Sequence, residues 1–272
     1  MSLLLADGLS EIADRLRRST VQVEGRGRGG GSGVLWSTEG AVITNAHVVR
    51  RGNARVTLSD GRVLDARLAA SDPQLDLALL ETGARNLPAA AIADSDPLRA
   101  GQIVLAVGSP YGQPGTVTAG IIHAAGTSRW IQADVRLAPG NSGGPLADAL
   151  GRIIGINTMV VSRLAFAIPS NIVTRFVARR GQPPRRLGVT VRPVARPQFG
   201  LLLLEIEPDG PAHHAGLRIG DILTGVGGRA FEAPFDLALA LEAAGGPVTL
   251  DVLRGGHAIT CEIAFAPQPV GA

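Results

Sequence analysis

Residues 54–70 read ARVTLSDGRVLDARLAA, two short apolar runs either side of an Asp-Gly pair at 60 and 61. Asp-Gly suits a tight hairpin turn, because glycine takes positive φ without strain, so the stretch predicts two antiparallel strands. The same pattern continues in both directions. Upstream stand TVQVEG (20–25), SGVLW (32–36) and AVITNAHVV (41–49). Downstream stand DLALLE (76–81), QIVLAVGS (102–109), GTVTAGIIHA (115–124), WIQADV (130–135), RIIGINT (152–158) and LAFAIP (164–169). Short apolar runs at this spacing, punctuated by turn residues, predict a mainly β fold closed into a barrel or a double barrel.

Composition agrees. The chain has 272 residues, 45% of them hydrophobic, enough for one large domain or two ordinary ones with packed cores. Its 36 glycines and 18 prolines suit many short strands better than long helices. The formal net charge is +3, and with no lysine in the chain every positive side chain is an arginine. These are scattered; only Arg179, Arg180, Arg185 and Arg186 cluster, around QPP, which reads as a linker and not as a nucleic-acid surface. A single cysteine, Cys261, excludes an internal disulfide, and its neighbours Ile259, Ile263 and Phe265 make it a strand core position. MSLLLADGLS at the N-terminus is too short in its apolar run for a signal peptide or a membrane span. As written, the chain is expected to be cytoplasmic, or extracytoplasmic if its N-terminus has been trimmed.

The organisation is read from changes in pattern. Leu5, Leu9, Ile12 and Leu16 recur at helical spacing, predicting an N-terminal helix over 1–18 that lies against the strand-rich segment. That segment occupies 19–178 and ends in a short helix at NIVTRFVARRG. RGQPPRR then predicts an extended linker at 179–186, since consecutive prolines disfavour helix. A second, smaller domain spans 187–267: two strands, a PAHHAGL turn into a short helix, GDILTGVGG, a helix through FDLALALEAA, and two closing strands.

APGNSGGPLA at 138–147 raises the question of chemistry. A serine hydroxyl attacks only when a neutral imidazole takes its proton, a carboxylate holds that imidazole, and amides receive the oxyanion. His47 stands where AVITNAHVV passes from strand to turn, whereas the other four histidines are placed as strand, helix-start or turn residues. Asp76 stands at the edge of an apolar strand, where a partner must offset its burial; Asp72 in the same loop reads as a turn residue. Gly140 and Gly143 flank Ser142 and permit angles that aim the amides of 140 and 142 into one pocket. His47, Asp76 and Ser142 thus follow the chain order of chymotrypsin-type proteases.

TNAHVV, DLALL, VGSPYG with TVTAGI, GNSGGPL, GINT and FAIPSN together resemble, in order, the motifs of the HtrA/Deg family of trypsin-like serine proteases, and the second domain resembles its PDZ domain. The resemblance implies a chymotrypsin-like double β-barrel followed by an α+β PDZ domain. It implies His47 as general base and acid, Asp76 as orienting carboxylate, Ser142 as nucleophile, and Gly140 and Ser142 as oxyanion hole with Asn141 setting the loop. RRLGV resembles the carboxylate-binding loop, placing Leu187, Gly188 and Val189 at a partner's C-terminus. The implied function is ATP-independent degradation of unfolded or misfolded proteins, with PDZ capture of C-terminal peptides. No P-loop, cofactor site or metal ligand set accompanies it. The competing expectation is a proteolytically idle chaperone or scaffold.

Specificity is carried by fewer residues. Six positions before the nucleophile, where digestive trypsins have an aspartate, stands Arg136, which argues against cleavage after Lys or Arg. The family's preference for small aliphatic residues makes Leu137 with Ala165, Phe166 and Ala167 the expected pocket. Family trimers use N-terminal aromatics, yet the first aromatic here is Trp36, so a homotrimer rests on the resemblance alone. GRGRGGGSG is a minimal loop where some relatives have a long regulatory one, which argues against cage assemblies.

Overall fold

The computed structural model describes residues 2–25, 30–49, 52–109, 115–125, 130–179, 185–195, 199–232, 234 and 236–265, with side chains for all but 2–7 and 242. Most of the linker expected at 179–186, part of GRGRGGGSG and part of VGSPYG lie outside these residues. The chain divides into two compact units, Met1–Gln182 and Pro183–Ala272.

The hairpin at 54–70 forms as its turn dictates. Strands β4 (Ala54–Thr57) and β5 (Val63–Asp72) pair antiparallel with Thr57 opposite Val63. Between them Gly61 takes φ 86°, Leu58 and Arg62 share a 2.9 Å backbone bond, and Asp60 Oδ1 accepts the Arg62 N–H at 3.0 Å. Along β4 the buried Ala54 and Val56 alternate with exposed Arg55, which turns one face inward.

Around this hairpin β1 (Thr20–Gly25), β2 (Gly30–Leu35), β3 (Ala41–Thr44) and β6 (Leu77–Glu81) complete a closed barrel in the order β1-β2-β3-β6-β5-β4. A second closed barrel comes next: β7 (Ile103–Gly108), β8 (Thr116–Ala124), β9 (Ile131–Asp134), β10 (Pro145–Asp148), β11 (Ile153–Val161) and β12 (Leu164–Pro169), in the order β10-β11-β12-β9-β8-β7. Each barrel encloses its own aliphatic core, built on Val23, Val42, Val56 and Leu80 in the first and Val104, Ile131, Leu146 and Ile154 in the second. Burying each such side chain is worth about 1.5–3 kcal/mol, which is how a chain without disulfides holds two barrels closed.

Helix α1 (Ser2–Ser19) precedes the barrels, and α2 (Ser170–Arg179) comes after them with Ile172, Val173 and Phe176 buried. The hydroxyls of Ser19 and Thr20 both donate to Leu16 O and end α1. The expected apolar stripe of α1 is realised only in part. Leu16 is buried, but Leu9 is 38% exposed, because the described anchoring comes from the later turns: Ala13 and Leu16 pack inward while Arg15 and Arg17 donate to Leu150 O and Gly115 O. Two of the clustered arginines are structural, whereas Arg186 is exposed. Arg179 pairs with buried Asp72 at 3.4 Å, and Arg185 donates to Ala244 O and Gly246 O at 2.8 Å. Cys261 is half-buried on its strand and packs against the core.

The second unit is one antiparallel sheet, β13 (Val189–Val194), β14 (Gly200–Ile206), β15 (Ile222–Val226), β17 (Val248–Arg254) and β18 (His257–Ile263), in that order, with β16 (Arg229–Ala230) beside β15. Helices α3 (Pro211–His214) and α4 (Asp236–Ala243) accompany it, and α4 contributes Leu237 and Leu241 to the core. β13 is an edge strand, paired among the described residues with β14 alone. Arg254 clamps Asp221 through Nε and Nη2 at 2.8 and 2.7 Å, and Asp221 also accepts the Arg218 N–H. That guanidinium hydrogen bond holds the Asp221 carboxyl below the ordinary carboxylate range.

Candidate active site

The two barrels meet where their loops carry the polar residues singled out in the sequence. The turn after β3 carries His47, and Asp76 immediately precedes β6. Asp76 has φ 56°, a left-handed conformation that costs a non-glycine residue roughly 1 kcal/mol or more. It is held there by its neighbours: buried Asn45 donates Nδ2–H to Asp76 O at 2.8 Å, and Ala46 N–H reaches the same carbonyl at 3.2 Å. The carboxylate thereby faces the imidazole, with His47 Nδ1 2.8 Å from Oδ2 and 3.0 Å from Oδ1, while His47 N–H donates to Oδ1. With the carboxylate as acceptor, Nδ1 is the donor of this pair. Asp72 plays a different part, since its Oδ1 accepts the N–H groups of Gln74 and Leu75 and caps the turn.

The second barrel supplies the rest. Thr158 on β11 donates its hydroxyl to Asp76 Oδ2 at 2.6 Å, a bond across the two barrels to the carboxylate that His47 uses. Ser142 lies between β9 and β10, and its hydroxyl donates to Thr158 O at 3.2 Å, so it must leave that carbonyl to engage an imidazole. Gly140 has φ 104°, and Asn141 N–H donates to Ala138 O at 3.0 Å. With Pro139 and Gly140 in the middle, these features define a type II turn, which needs glycine's tolerance of positive φ.

The pairing of backbone N–H groups in this loop is selective. Those of Asn141, Gly143 and Gly144 donate to Ala138, Asn157 and Asn141 carbonyls. Those of Gly140 and Ser142 donate to no acceptor among the described residues. Two uncommitted amides flanking Asn141 can receive an oxygen that gains negative charge. Beside them is a cleft of about 310 Å³, lined by Leu137–Pro139, Asn141, Ser142, Thr158, Met159 and Val160, with no charged side chain in its wall.

The structure thus pairs His47 with Asp76 and connects Thr158 to both Asp76 and Ser142, and Leu137 lines the cleft. The other pocket residues expected from the sequence do not. Ala165 and Ala167 face the core of the second barrel, and Phe166 packs edge-on against Trp130 with ring centroids 6.2 Å apart. Arg136 is exposed and outside the cleft wall. Thr158, Met159 and Val160 were missed; the GINT motif that ends in Thr158 was the available signal. In the second unit Leu187 is buried, Gly188 takes φ 74°, and neither residue's N–H donates to an acceptor among the described residues. No group of metal-ligating side chains occurs among the described residues.

Comparison with known proteins places these observations. A trypsin-like peptidase domain model matches residues 31–156, and a PDZ domain model matches 204–254. A protein of Halomonas elongata named as a periplasmic, DegP-like serine endoprotease is 39% identical over 257 residues, covering 84% of this chain and 54% of the relative. The serine protease HhoB of Synechocystis is 36% identical over 268 residues, 85% of this chain and 64% of the relative. The chain thus spans about half the length of the first of these relatives and under two thirds of the second. A solved serine endoprotease from Yersinia pestis superposes with a TM-score of 0.68 at 32% identity, covering 94% of this chain and 96% of its own. The HtrA-type protease AlgW, solved with a tripeptide, gives 0.68 at 30% identity over 96% of this chain and 98% of its own. Relatives named as periplasmic overturn the expectation of a cytoplasmic protein. That expectation came from the first ten residues, which carry none of the catalytic architecture. Among the described residues no helix is long and apolar enough to cross a membrane.

Proposed function

The chain belongs to the HtrA/Deg family of trypsin-like serine proteases, and from that premise we propose that it is an ATP-independent serine endopeptidase that degrades unfolded or misfolded proteins outside the cytoplasm. His47 Nε2 takes the proton of Ser142 as the hydroxyl attacks the scissile carbonyl, and Asp76 holds the imidazole and stabilises its charged form. The N–H groups of Gly140 and Ser142 receive the oxyanion. The tetrahedral intermediate collapses to an acyl-enzyme as His47 returns the proton to the leaving amine. Water, activated by the same imidazole, then releases the acid and restores the serine. The observation that carries this proposal is the pair of uncommitted amides flanking Asn141, beside a serine on a cleft also lined by Thr158, which bonds the carboxylate of the His47–Asp76 couple. An uncharged cleft walled by Leu137, Met159 and Val160 suits a small aliphatic side chain before the cleaved bond.

The second unit is assigned capture of C-terminal peptides by strand addition to β13, with the amides at Leu187 and Gly188 taking the carboxylate. Its edge strand and those uncommitted N–H groups support this, as does the similarity to AlgW, solved with a tripeptide.

One observation favours an idle binding protein instead: the Ser142 hydroxyl is engaged by Thr158 O. Degradation of unfolded β-casein by wild type beside Ser142→Ala, with and without an apolar C-terminal peptide, separates the two. Loss of the nucleophile is expected to cost about a million-fold in turnover. Cleavage by wild type alone supports the endopeptidase, and stimulation by the peptide supports the role of the second unit. Equal traces of cleavage from both proteins would overturn the assignment.

A further inference from the structure

Ser32 on β2 is fully buried in the first barrel, yet its hydroxyl serves the second. It accepts the N–H of Ser109, just beyond β7, at 2.8 Å and donates to the carbonyl of Gly140 at 2.7 Å. Its main chain holds the same loop two residues further on, since Ser32 N–H donates to Ser142 O at 2.8 Å. Ser32 O in turn accepts the Thr44 hydroxyl at 2.7 Å, and Thr44 is bonded through the chain to Asn45, whose amide clamps Asp76. A continuous path of covalent and hydrogen bonds therefore runs from the carboxylate behind His47 to the carbonyls of Gly140 and Ser142.

The base and the nucleophile lie on different barrels, so their mutual placement depends on ties between barrels. Three ties act on the peptides around Asn141: Asn141 O accepts Gly144 N–H, Asn141 N–H is held by Ala138 O, and Gly140 O is held by Ser32. The last comes from the first barrel, as does the Ser32 N–H bond to Ser142 O, and only the hydroxyl tie is lost on Ser32→Ala. We propose that Ser32 is a positioning residue of the endopeptidase assigned above: its hydroxyl registers the loop carrying Gly140 and Ser142 against the barrel that carries His47. Removing it frees the Gly140 carbonyl and lets the two oxyanion amides drift from the geometry needed in the transition state. Ground-state binding in the cleft is left intact, because Ser32 does not line it.

The experiment compares wild type, Ser32→Ala, Ser170→Ala and Ser142→Ala on a fluorogenic peptide built from a cleavage site mapped in casein. Ser170 is the matched control, a fully buried serine whose hydroxyl also donates to a backbone carbonyl, Ala93 O at 2.6 Å. Ser32→Ala is expected to lower kcat by about 10- to 100-fold with KM within about threefold, less than the loss of an oxyanion donor itself. Affinity for a peptide boronate, which forms a tetrahedral adduct, should fall in parallel, while affinity for the product peptide should not. Ser170→Ala should lose stability and keep its kcat. If Ser32→Ala does not fold, Ser32→Cys, close in size but a weak donor, is measured in the same way. The proposal is overturned if kcat stays within twofold of wild type, if boronate and product affinities fall together, or if Ser170→Ala loses kcat to the same degree. Wild type no more active than Ser142→Ala would instead remove the endopeptidase assignment, and the role of Ser32 with it.

Discussion

Gly143 shows how little freedom the nucleophile loop has. A Cβ there would collide with Ser32 O and the Thr44 hydroxyl, and its φ of 84° is one that side chains resist. Gly143→Ala is accordingly expected to cost about 3 kcal/mol or more and to abolish turnover; a thermal melt and the casein assay check both. Thr158 was not singled out in the sequence, although its hydroxyl, 2.6 Å from Asp76 Oδ2, is one of the shortest bonds at the site. Hydrogen bonds to a charged acceptor contribute about 1.5–3 kcal/mol, so Thr158→Val is expected to lower kcat by roughly tenfold or more with little change in KM. Equal kcat in the two proteins would mean that His47 is oriented without it. His47, Asp76 and Ser142 were singled out in the sequence because acyl transfer demands such side chains. Asn45, Thr158 and Ser32 act through hydrogen bonds to groups far along the chain, and nothing in their local sequence announces that.

At the scale of elements, turn chemistry and alternation served well wherever a strand had one polar face. The hairpin of β4 and β5 is the clearest case. Periodicity served less well for α1, where Leu9 belongs to the expected stripe but is exposed while Leu16 is buried. A helix docked through its later turns realises only part of its stripe. Leu16→Ala should therefore destabilise the barrel unit by about 2–5 kcal/mol, whereas Leu9→Ser should stay within about 0.5 kcal/mol. Denaturant melts followed by Trp36 and Trp130 fluorescence distinguish the two, and equal losses would restore the full stripe. The part of the cleft wall that the sequence did not show, Thr158, Met159 and Val160, lies on β11. β11 and β12 pair through an irregularity between Asn157 and Met159. Such a shift changes which side chains face the core, and sequence alternation alone gives no sign of it.

At the scale of the molecule, the second unit has an electrostatic anchor of its own. Asp221 is held below the ordinary carboxylate range by Arg254 first and by the Arg218 N–H as well. A depressed folded-state pKa contributes stability that is present above the unfolded value, about 4, and is lost as pH falls through the folded one. Protection factors of the β15 and β17 amides, taken relative to the intrinsic exchange rate at each pH, should thus fall below about pH 4 in wild type. Asp221→Asn, which leaves Arg254 without its charge partner, should lose about 3 kcal/mol already at neutral pH and show a weaker acid dependence. Cleavage of a short peptide by the barrel unit should be unaffected at neutral pH.

Local chemistry in the sequence determined the strands, the hairpin at 54–70, and which histidine, aspartate and serine could perform acyl transfer, because turn preferences and proton-transfer requirements act through individual residues and their neighbours. Tertiary structure alone decided which residues wall the cleft and which hold the loop. A bulge changes the facing of a strand by one residue, and the Ser32–Gly140 bond joins positions 108 residues apart on different barrels, a proximity created only when both barrels close.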